Sequence, residues 1–186
     1  ACSSTSAHLE VKTVLEIEVK ARIDSIPAVE ARILELGGEF RKEVIEVDVY
    51  YNHPNRDFAE TDEAIRLRRV EGMVFLTYKG PKIDRLTKTR EEFNLKVDSW
   101  DNSTSILRAL GFTEVMPVKK RRRYLRLEGF EIMLDYLEGL GSFIEVEMTG
   151  DYKPDALFDF LRELGVEGSE TRSYLELVLE KQGKLK

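Results

Sequence analysis

The chain contains very little cysteine and histidine. Cys2 is the only cysteine among 186 residues, so no internal disulfide can form, which suits a reducing cytoplasm. The two histidines, His8 and His53, lie in an N-terminal leader and in a turn-forming stretch, so a histidine-based metal site is not expected. The sequence also shows no Ser/His/Asp or Cys/His arrangement of the kind that activates a nucleophile.

Several other features that define common protein classes are missing. No apolar run approaches the length of a membrane span, no signal-peptide core precedes the first predicted strand, and no phosphate-binding glycine loop or dinucleotide fingerprint is present. The 35 acidic residues outnumber the 29 basic ones, for a net charge of −6, which argues against general binding to nucleic acid. We therefore expect a soluble cytoplasmic protein with a flexible leader over 1–12 and one domain over 13–186.

Residues 15–22 alternate strictly between apolar and charged side chains. This period of two predicts a strand with two unlike faces, and the same pattern recurs in at least five later strands. Such strands can close into a barrel with a charged interior and helices packed on the apolar outside. A two-layer α+β sandwich with one solvated face is the alternative.

The predicted elements repeat. A strand–helix–strand–strand–strand order appears twice, and the glycines that end the two helices, Gly37 and Gly111, lie 74 residues apart. Duplication favours a closed, pseudo-symmetric antiparallel barrel of eight strands, because each half would supply about half of the wall.

Carboxylates occur in pairs on the predicted interior face. Glu16 and Glu18 share one strand face near the N-terminus, and Glu145 and Glu147 share another near the C-terminus. Like charges placed side by side repel, so their pairing suggests a divalent cation. Oxygen-only ligands favour Mg²⁺ or Mn²⁺ over zinc.

Cations form the complementary set. Arg66 and Arg68 project from one predicted strand, and Lys119 and Arg121 from another. Fixed cations that converge on a cavity beside a divalent metal are what a chain of phosphates requires. The basic run over 119–123 could instead form a nucleic-acid patch or a sorting signal, although the net acidity of the chain counts against this.

Six stretches of the sequence match, in chain order, the motifs of one known family. They are Glu16-x-Glu18-x-Lys20, the strand at 64–68, the stretch at 76–81 with 90–92, Lys119-x-Arg121-x-x-Tyr124, the stretch at 134–147, and Ser173-Tyr174. Together they resemble the CYTH superfamily of triphosphate tunnel metalloenzymes. The stretches Leu76-Thr77-Tyr78-Lys79-Gly80-Pro81 and Arg90-Glu91-Glu92 resemble motifs typical of its class IV adenylyl cyclase branch.

The resemblance implies an eight-stranded antiparallel tunnel that binds a triphosphate with Mg²⁺ or Mn²⁺, and it suggests a homodimer. It implies roles for specific residues. The implied metal ligands are Glu16, Glu18, Asp135, Glu145 and Glu147. The implied phosphate-binding residues are Lys20, Arg66, Arg68, Lys79, Arg90, Lys119 and Arg121. The implied catalytic residues are Glu16, Glu18, Lys20 and Asp135.

One part of the resemblance leaves an alternative open. Lys120, Arg122 and Arg123 crowd the basic strand, and a bulge there would change whether Lys119 or Lys120 faces inward.

The shared tunnel motifs allow three functions. The leading hypothesis is a class IV adenylate cyclase that converts ATP to cyclic AMP and pyrophosphate. The second is a hydrolase acting on tripolyphosphate, thiamine triphosphate or a nucleoside triphosphate. The third is a module that binds polyphosphate or a nucleotide without turnover.

Overall fold

The structure, a computed structural model, describes residues 14–83, 90–149 and 155–184, and for residues 14–16 it describes the backbone alone. The leader predicted over 1–12 lies outside these ranges, as do most of the loop predicted over 82–88 and the predicted helix start at Pro154. No helix within the described ranges is long and apolar enough to cross a membrane.

The fold combines one large sheet with short helices. Its strands are β1 (Val14–Glu16), β2 (Glu18–Ile23), β3 (Glu39–Asn52), β4 (Ala64–Val70), β5 (Met73–Lys79), β6 (Arg90–Val97), β7 (Thr113–Leu127), β8 (Phe130–Leu137) and β9 (Gly141–Met148). Its helices are α1 (Ile26–Glu35), α2 (Phe58–Thr61), α3 (Trp100–Ala109), α4 (Asp155–Glu163) and α5 (Tyr174–Lys181).

The sheet curls into a tunnel. Its strand order is β1-β6-β5-β4-β3-β7-β8-β9-β2, and every neighbouring pair is antiparallel. The two end strands, β1 and β2, are halves of a single N-terminal strand separated only by Ile17. The carbonyl of Ile17 accepts a hydrogen bond from the Met148 N–H at 3.1 Å. The N-terminal strand thus joins both ends of the sheet, which confirms the predicted eight-stranded antiparallel tunnel.

The outer face of the tunnel is covered by helices on two sides. One core cluster packs α1 and α4 against the outer side of β2, β8 and β9; it includes Val19, Ala21, Ile33, Ile132, Ile144, Leu157 and Leu161. A second cluster packs Leu107 of α3 against Leu67 and Val74. Because side chains alternate along a strand, the residues between these outward-facing positions point into the tunnel.

The predicted duplication is visible in α1 and α3. Each helix begins after a serine whose hydroxyl accepts a backbone N–H: Ser25 from Ala28 at 3.3 Å, and Ser99 from Asn102 at 3.1 Å. Each is followed by a glycine with a left-handed backbone, φ +91° at Gly37 and +89° at Gly111. Serine caps and glycine stops are the usual signals for helix ends, so the two halves share local chemistry as well as element order.

Helix α5 closes one end of the tunnel. Tyr174 and Leu177 pack against Tyr50, Leu137 and Phe143 from the inner faces of three strands. The helix starts with a capping box. The Ser173 hydroxyl accepts from the Glu176 N–H at 3.1 Å, and the Glu176 carboxylate accepts from the Ser173 N–H at 2.6 Å. This cap places Tyr174 at the first helical position, facing the tunnel interior.

Candidate functional site

The tunnel interior is lined by charged side chains that are buried. Charged groups are rarely buried unless they are paired, because removing them from water is costly. The buried charged residues are Lys20, Glu46, Asp48, Arg66, Arg90, Lys120, Arg122, Asp135 and Glu145.

Strand β7 presents Lys120 and Arg122 to the interior. Their relative exposures are 2% and 6%, whereas Lys119 and Arg121 are exposed on the outer face. The prediction that Lys119 and Arg121 line the tunnel is therefore wrong.

The flanking residues of β7 set this orientation. Leu125 is buried in the outer core cluster, so odd-numbered positions of this strand face outward and even-numbered positions face inward. The β3–β7 ladder runs without interruption from Lys42–Tyr124 to Val49–Pro117, and its irregularities lie beyond both ends. Five consecutive basic residues show no alternation of their own, so the sequence run could not reveal which of them face inward.

Arg122 is held by two carboxylates. Its Nε donates to Asp135 Oδ1 at 2.7 Å, its Nη2 donates to Asp135 Oδ2 at 2.5 Å, and the same Nη2 also bonds Glu145. Burial alone would lower the pKa of Arg122, but Asp135, Glu46 and Glu145 outweigh it and raise the pKa well above its usual value. Asp135 and Glu145, both implied metal ligands, are thus ion-paired with Arg122.

Asp135 is also bonded by a residue of helix α5 that faces the tunnel interior. Its Oδ2 accepts a hydrogen bond from the Tyr174 hydroxyl of α5 at 2.7 Å. Lys20 lies over the face of the Tyr174 ring, 4.2 Å from its centroid, and donates to the carbonyl of Arg172. The segment that opens α5 therefore contacts two of the implied catalytic residues, Asp135 and Lys20.

Two carboxylates on β3 hold a second group of cations. Asp48 accepts from Arg68 Nε at 2.7 Å and Arg68 Nη2 at 2.8 Å, in a bidentate pair. Glu46 Oε2 lies 2.9 Å from Lys120 Nζ and 3.0 Å from Arg68 Nη1. Sequence reasoning missed both acids, although Glu46 and Asp48 alternate with Val47 and Val49 in the pattern typical of the tunnel strands.

The other implied phosphate-binding cations also have defined positions. Arg66 is loosely held: its Nη2 donates to Thr77 at 3.3 Å, its ion pairs with Asp48 and Glu92 are both 3.8 Å long, and its Nε has no hydrogen-bond partner among the described residues. Lys79 pairs with Glu92. Arg90 donates to the carbonyl of Gly80 at 3.3 Å.

Carboxylates crowd together around Glu147. Glu18 is its direct register partner on β2, and Glu131 is its partner on β8. Burial, followed by the charges of Glu18, Glu131 and Glu92, raises the pKa of Glu147 to about 7, against a smaller opposing effect of Lys79. Glu131 was not predicted as a site residue, because it has no paired carboxylate on its own strand.

The carboxylates around Glu147 fit a divalent cation by their chemistry. They offer only oxygen donors and repel one another, which is the donor set that Mg²⁺ and Mn²⁺ prefer. Within the described ranges, no group of three Asp, Glu, His or Cys side chains is already assembled as a metal site. The side chain of Glu16, whose backbone pairs with Arg90, lies outside the described part of the structure.

Comparison with known proteins identifies the family. The chain matches the family model described as CYTH domain over residues 15–174. It belongs to the CYTH family. The charged tunnel of this CYTH protein is its candidate functional site.

Two relatives match nearly the whole chain. A Methanocaldococcus jannaschii protein whose name proposes adenylate cyclase activity is 39% identical over 171 residues, which cover 88% of this chain and 98% of the relative. Adenylate cyclase CyaB from Aeromonas hydrophila is 30% identical over 184 residues, covering 93% and 92%.

Solved structures share the fold. The PH1819 protein from Pyrococcus horikoshii OT3 has a TM-score of 0.81 and 44% identity, covering 89% of this chain and 99% of its own. HpAC1 from Hippeastrum, named as an adenylyl cyclase candidate with a dominant triphosphatase activity, has a TM-score of 0.66 and 23% identity, covering 92% and 97%. At that identity the Hippeastrum structure supports the fold alone.

Proposed function

We propose that this CYTH protein is an Mg²⁺- or Mn²⁺-dependent enzyme that binds ATP in the tunnel and converts it to cyclic AMP and pyrophosphate. The observation that carries the proposal is a set of cations on β4 and β7, the two strands that flank β3. These cations face the tunnel interior and are buried or, for Arg68, half-buried: Arg66, Arg68, Lys120 and Arg122. Arginine and lysine at fixed positions suit the oxygens of a phosphate chain, and burial strengthens their attraction.

The phosphate-binding set replaces two residues of the sequence-based set. Lys120 and Arg122 take the places implied for Lys119 and Arg121, and Lys20, Arg66, Arg68, Lys79 and Arg90 keep their implied roles. Arg66 is well suited to contact substrate, because its contacts with Asp48 and Glu92 are long and its Nε has no partner among the described residues. A phosphate oxygen would satisfy donors that the protein itself leaves weakly bonded.

The metal would be held by the carboxylates around Glu147. We assign Glu18 and Glu147 as its ligands. Glu16 precedes Glu18 by two residues, and Glu131 pairs with Glu147 in the sheet. Asp135 and Glu145 are tied to Arg122 and serve better as its anchors than as metal ligands. When bound, a divalent ion in this position would neutralise phosphate charge and lower the pKa of an attacking hydroxyl or water.

The protein side chains supply binding and charge stabilisation. In cyclisation the ribose 3′-hydroxyl loses its proton, its oxygen forms a bond to the α-phosphorus, and the bond from that phosphorus to the bridging oxygen breaks, releasing pyrophosphate. The cations on β4 and β7 would stabilise the charge that builds on pyrophosphate as it leaves. Cyclase activity is favoured because two relatives of similar length carry adenylate cyclase names.

A triphosphate hydrolase is the second candidate. The Hippeastrum protein of the same fold is named for a dominant triphosphatase activity, and the same cations and carboxylates would serve attack by water on tripolyphosphate, thiamine triphosphate or a nucleotide. A binding module without turnover is the third candidate. A homodimer and a cytoplasmic location stay predictions from the sequence.

The test is a comparison of substrates with matched variants. Purified protein would be assayed with ATP and with tripolyphosphate, each with Mg²⁺ and then Mn²⁺. Cyclic AMP and pyrophosphate from ATP would support the cyclase, and orthophosphate without cyclic AMP would support the hydrolase. Tight binding of triphosphate without any product would support the binding module.

A further inference from the structure

Glu46 and Asp48 form a buried pair of carboxylates that neither binds metal in the proposed function nor contacts solvent. Both are 1% exposed, and they project from alternate positions of β3 into the tunnel. Asp48 accepts hydrogen bonds from Arg68 Nε, from Arg68 Nη2 and, at 3.2 Å, from Lys120 Nζ. Glu46 Oε1 accepts a hydrogen bond from the Tyr124 hydroxyl at 2.7 Å.

The pair differs from the carboxylates around Glu147 in its surroundings. Burial raises the pKa of Glu46, but Lys120, Arg122 and Arg68 outweigh burial and lower it to about 2. The pKa of Asp48 is likewise held well below its usual value, because Lys120, Arg66 and Arg68 outweigh its burial. Both groups therefore carry a full negative charge at neutral pH, surrounded by cations and not by other carboxylates.

A metal ligand role does not suit this pair. Three nitrogens already donate hydrogen bonds to Asp48, and a divalent cation would have to displace Arg68 and Lys120 while being repelled by them. The contacts instead fix two long, flexible side chains, each of which would lose considerable rotamer entropy if it were ordered only on binding substrate.

We infer that Glu46 and Asp48 are positioning residues, an internal counter-anion that holds Arg68 and Lys120 in place in the tunnel so that they meet the phosphate chain already ordered. The inference rests on the proposed binding of a triphosphate. The contacts of Glu46 favour this role. Glu46 Oε2 lies within 3.0 Å of both cations, but it accepts no hydrogen bond from any residue that the structure describes. Each cation therefore keeps N–H donors to direct at a phosphate oxygen.

Replacing an anion that positions the cations should lower turnover without weakening the binding of phosphate, whereas replacing an anion that only stabilises the fold should not separate the two. Asp48→Asn keeps the size of the side chain and removes one negative charge from the interior. The loss of a negative charge that repels phosphate offsets the rotamer entropy that Arg68 and Lys120 would then lose on binding, so the affinity for tripolyphosphate should be as strong as before or stronger. Turnover should fall, because Arg68 and Lys120 lose the anchor that fixes their positions and small misplacements of charge-stabilising groups slow reaction strongly.

The experiment measures binding and turnover separately in four proteins: wild type, Asp48→Asn, Glu46→Gln and the control Glu43→Gln. Glu43 lies on the same strand but is exposed on the outer face, where it pairs with Arg123, so the control removes the same charge outside the tunnel. Calorimetry with tripolyphosphate in EDTA gives the affinity without activity. Steady-state kinetics with metal give kcat and KM, and thermal melts report folding.

We expect Asp48→Asn to lower kcat on the order of tenfold or more, with KM and the affinity for tripolyphosphate unchanged or improved. The control Glu43→Gln should match the wild type. Glu46→Gln should act in the same direction, and it decides the matter if Asp48→Asn does not fold. Affinity that weakens in step with the melting temperature would make the pair structural and overturn the inference, as would variants with wild-type kcat. If the wild type itself binds no triphosphate, the proposed function fails, and this inference fails with it.

Discussion

Glu18 and Glu147 face each other as direct partners across the β2–β9 ladder. Two carboxylates in this relationship destabilise the sheet unless a proton or a cation lies between them. Burial and, after it, the neighbouring charge of Glu18 raise the pKa of Glu147 to about 7. We assign this repulsion to a metal-binding site, and we make four predictions beyond the positioning test.

The stability of the protein in EDTA should fall as pH rises from about 5 to about 7. The pKa of Glu147 is about 7 in the folded state against 4.5 for the ordinary group. Between these values the folded state binds more protons than the unfolded state, so its contribution to stability is present at low pH and is lost as pH rises. Glu46, with a pKa of about 2, does not titrate in this window.

Thermal melts of wild type and Glu147→Gln across this range would check the prediction. The wild type should lose melting temperature with rising pH, and the variant should show a flatter dependence. Parallel curves for the two proteins would mean that Glu147 titrates normally and that its carboxylate neighbours do not matter.

Mn²⁺ binding should depend on the same carboxylates. Glu18→Gln and Glu147→Gln should each weaken Mn²⁺ binding at least about tenfold, because each removes an anionic oxygen donor. Titration followed by electron paramagnetic resonance measures this without turnover. Glu91→Gln, at an exposed position that alternates with Glu92 on β6, is the matched control and should bind as the wild type does. Equal affinity in all four proteins would place the metal elsewhere.

Neighbouring lysines on β7 should differ sharply in their effect on phosphate binding. Lys120→Met removes a buried cation from the tunnel, whereas Lys119→Met removes an exposed one from the outer face. The first change should weaken binding of tripolyphosphate at least about tenfold, since charge-assisted contacts in a buried site are strong. The second should change it less than about twofold, because exposed charges are screened by solvent. Calorimetry would measure both, and the reverse order would restore the sequence-based assignment.

Tyr174 should stabilise the closed end of the tunnel through Asp135. Its hydroxyl donates to the fully buried Asp135 carboxylate at 2.7 Å, so Tyr174→Phe should lower the free energy of unfolding by about 1.5–3 kcal/mol, as expected for a hydrogen bond to a charged group. Denaturant unfolding measures this value. Tyr136→Phe, at an exposed position of β8, should leave stability unchanged; equal effects of both changes would argue against the hydrogen bond.

The sequence predicted the tunnel because its evidence is local. The alternation at 15–22 and the glycine stops at Gly37 and Gly111 each depend on nearby residues alone. Helix α2 was not predicted, because a single helical turn that follows an aspartate such as Asp57 has the same sequence signal as an ordinary turn. Strand β3 begins at Glu39, before the stretch rich in Val, Ile and Tyr, because its first residues pair with β7, a contact between distant parts of the chain.

The site was harder to predict because it depends on which side chains meet across the tunnel. Glu18, Glu147, Arg66 and Arg68 were found from their spacing along single strands. The orientation of the 119–123 run depends instead on Leu125 packing beneath the helices. The carboxylates separate into two groups, one bound to cations at Asp48 and one mutually repelling at Glu147. This separation depends on the register between strands, which spacing along one strand does not encode.

We propose that the tunnel turns over a triphosphate with a divalent metal, and an assay of the reaction products tests this claim. ATP and tripolyphosphate would be incubated separately with the protein in Mg²⁺, Mn²⁺ or EDTA, and the products separated by chromatography. We expect cyclic AMP and pyrophosphate from ATP with metal, and no product in EDTA. Metal-dependent orthophosphate without cyclic AMP would keep the tunnel but replace cyclisation by hydrolysis, and no product from either compound under any condition would contradict the claim.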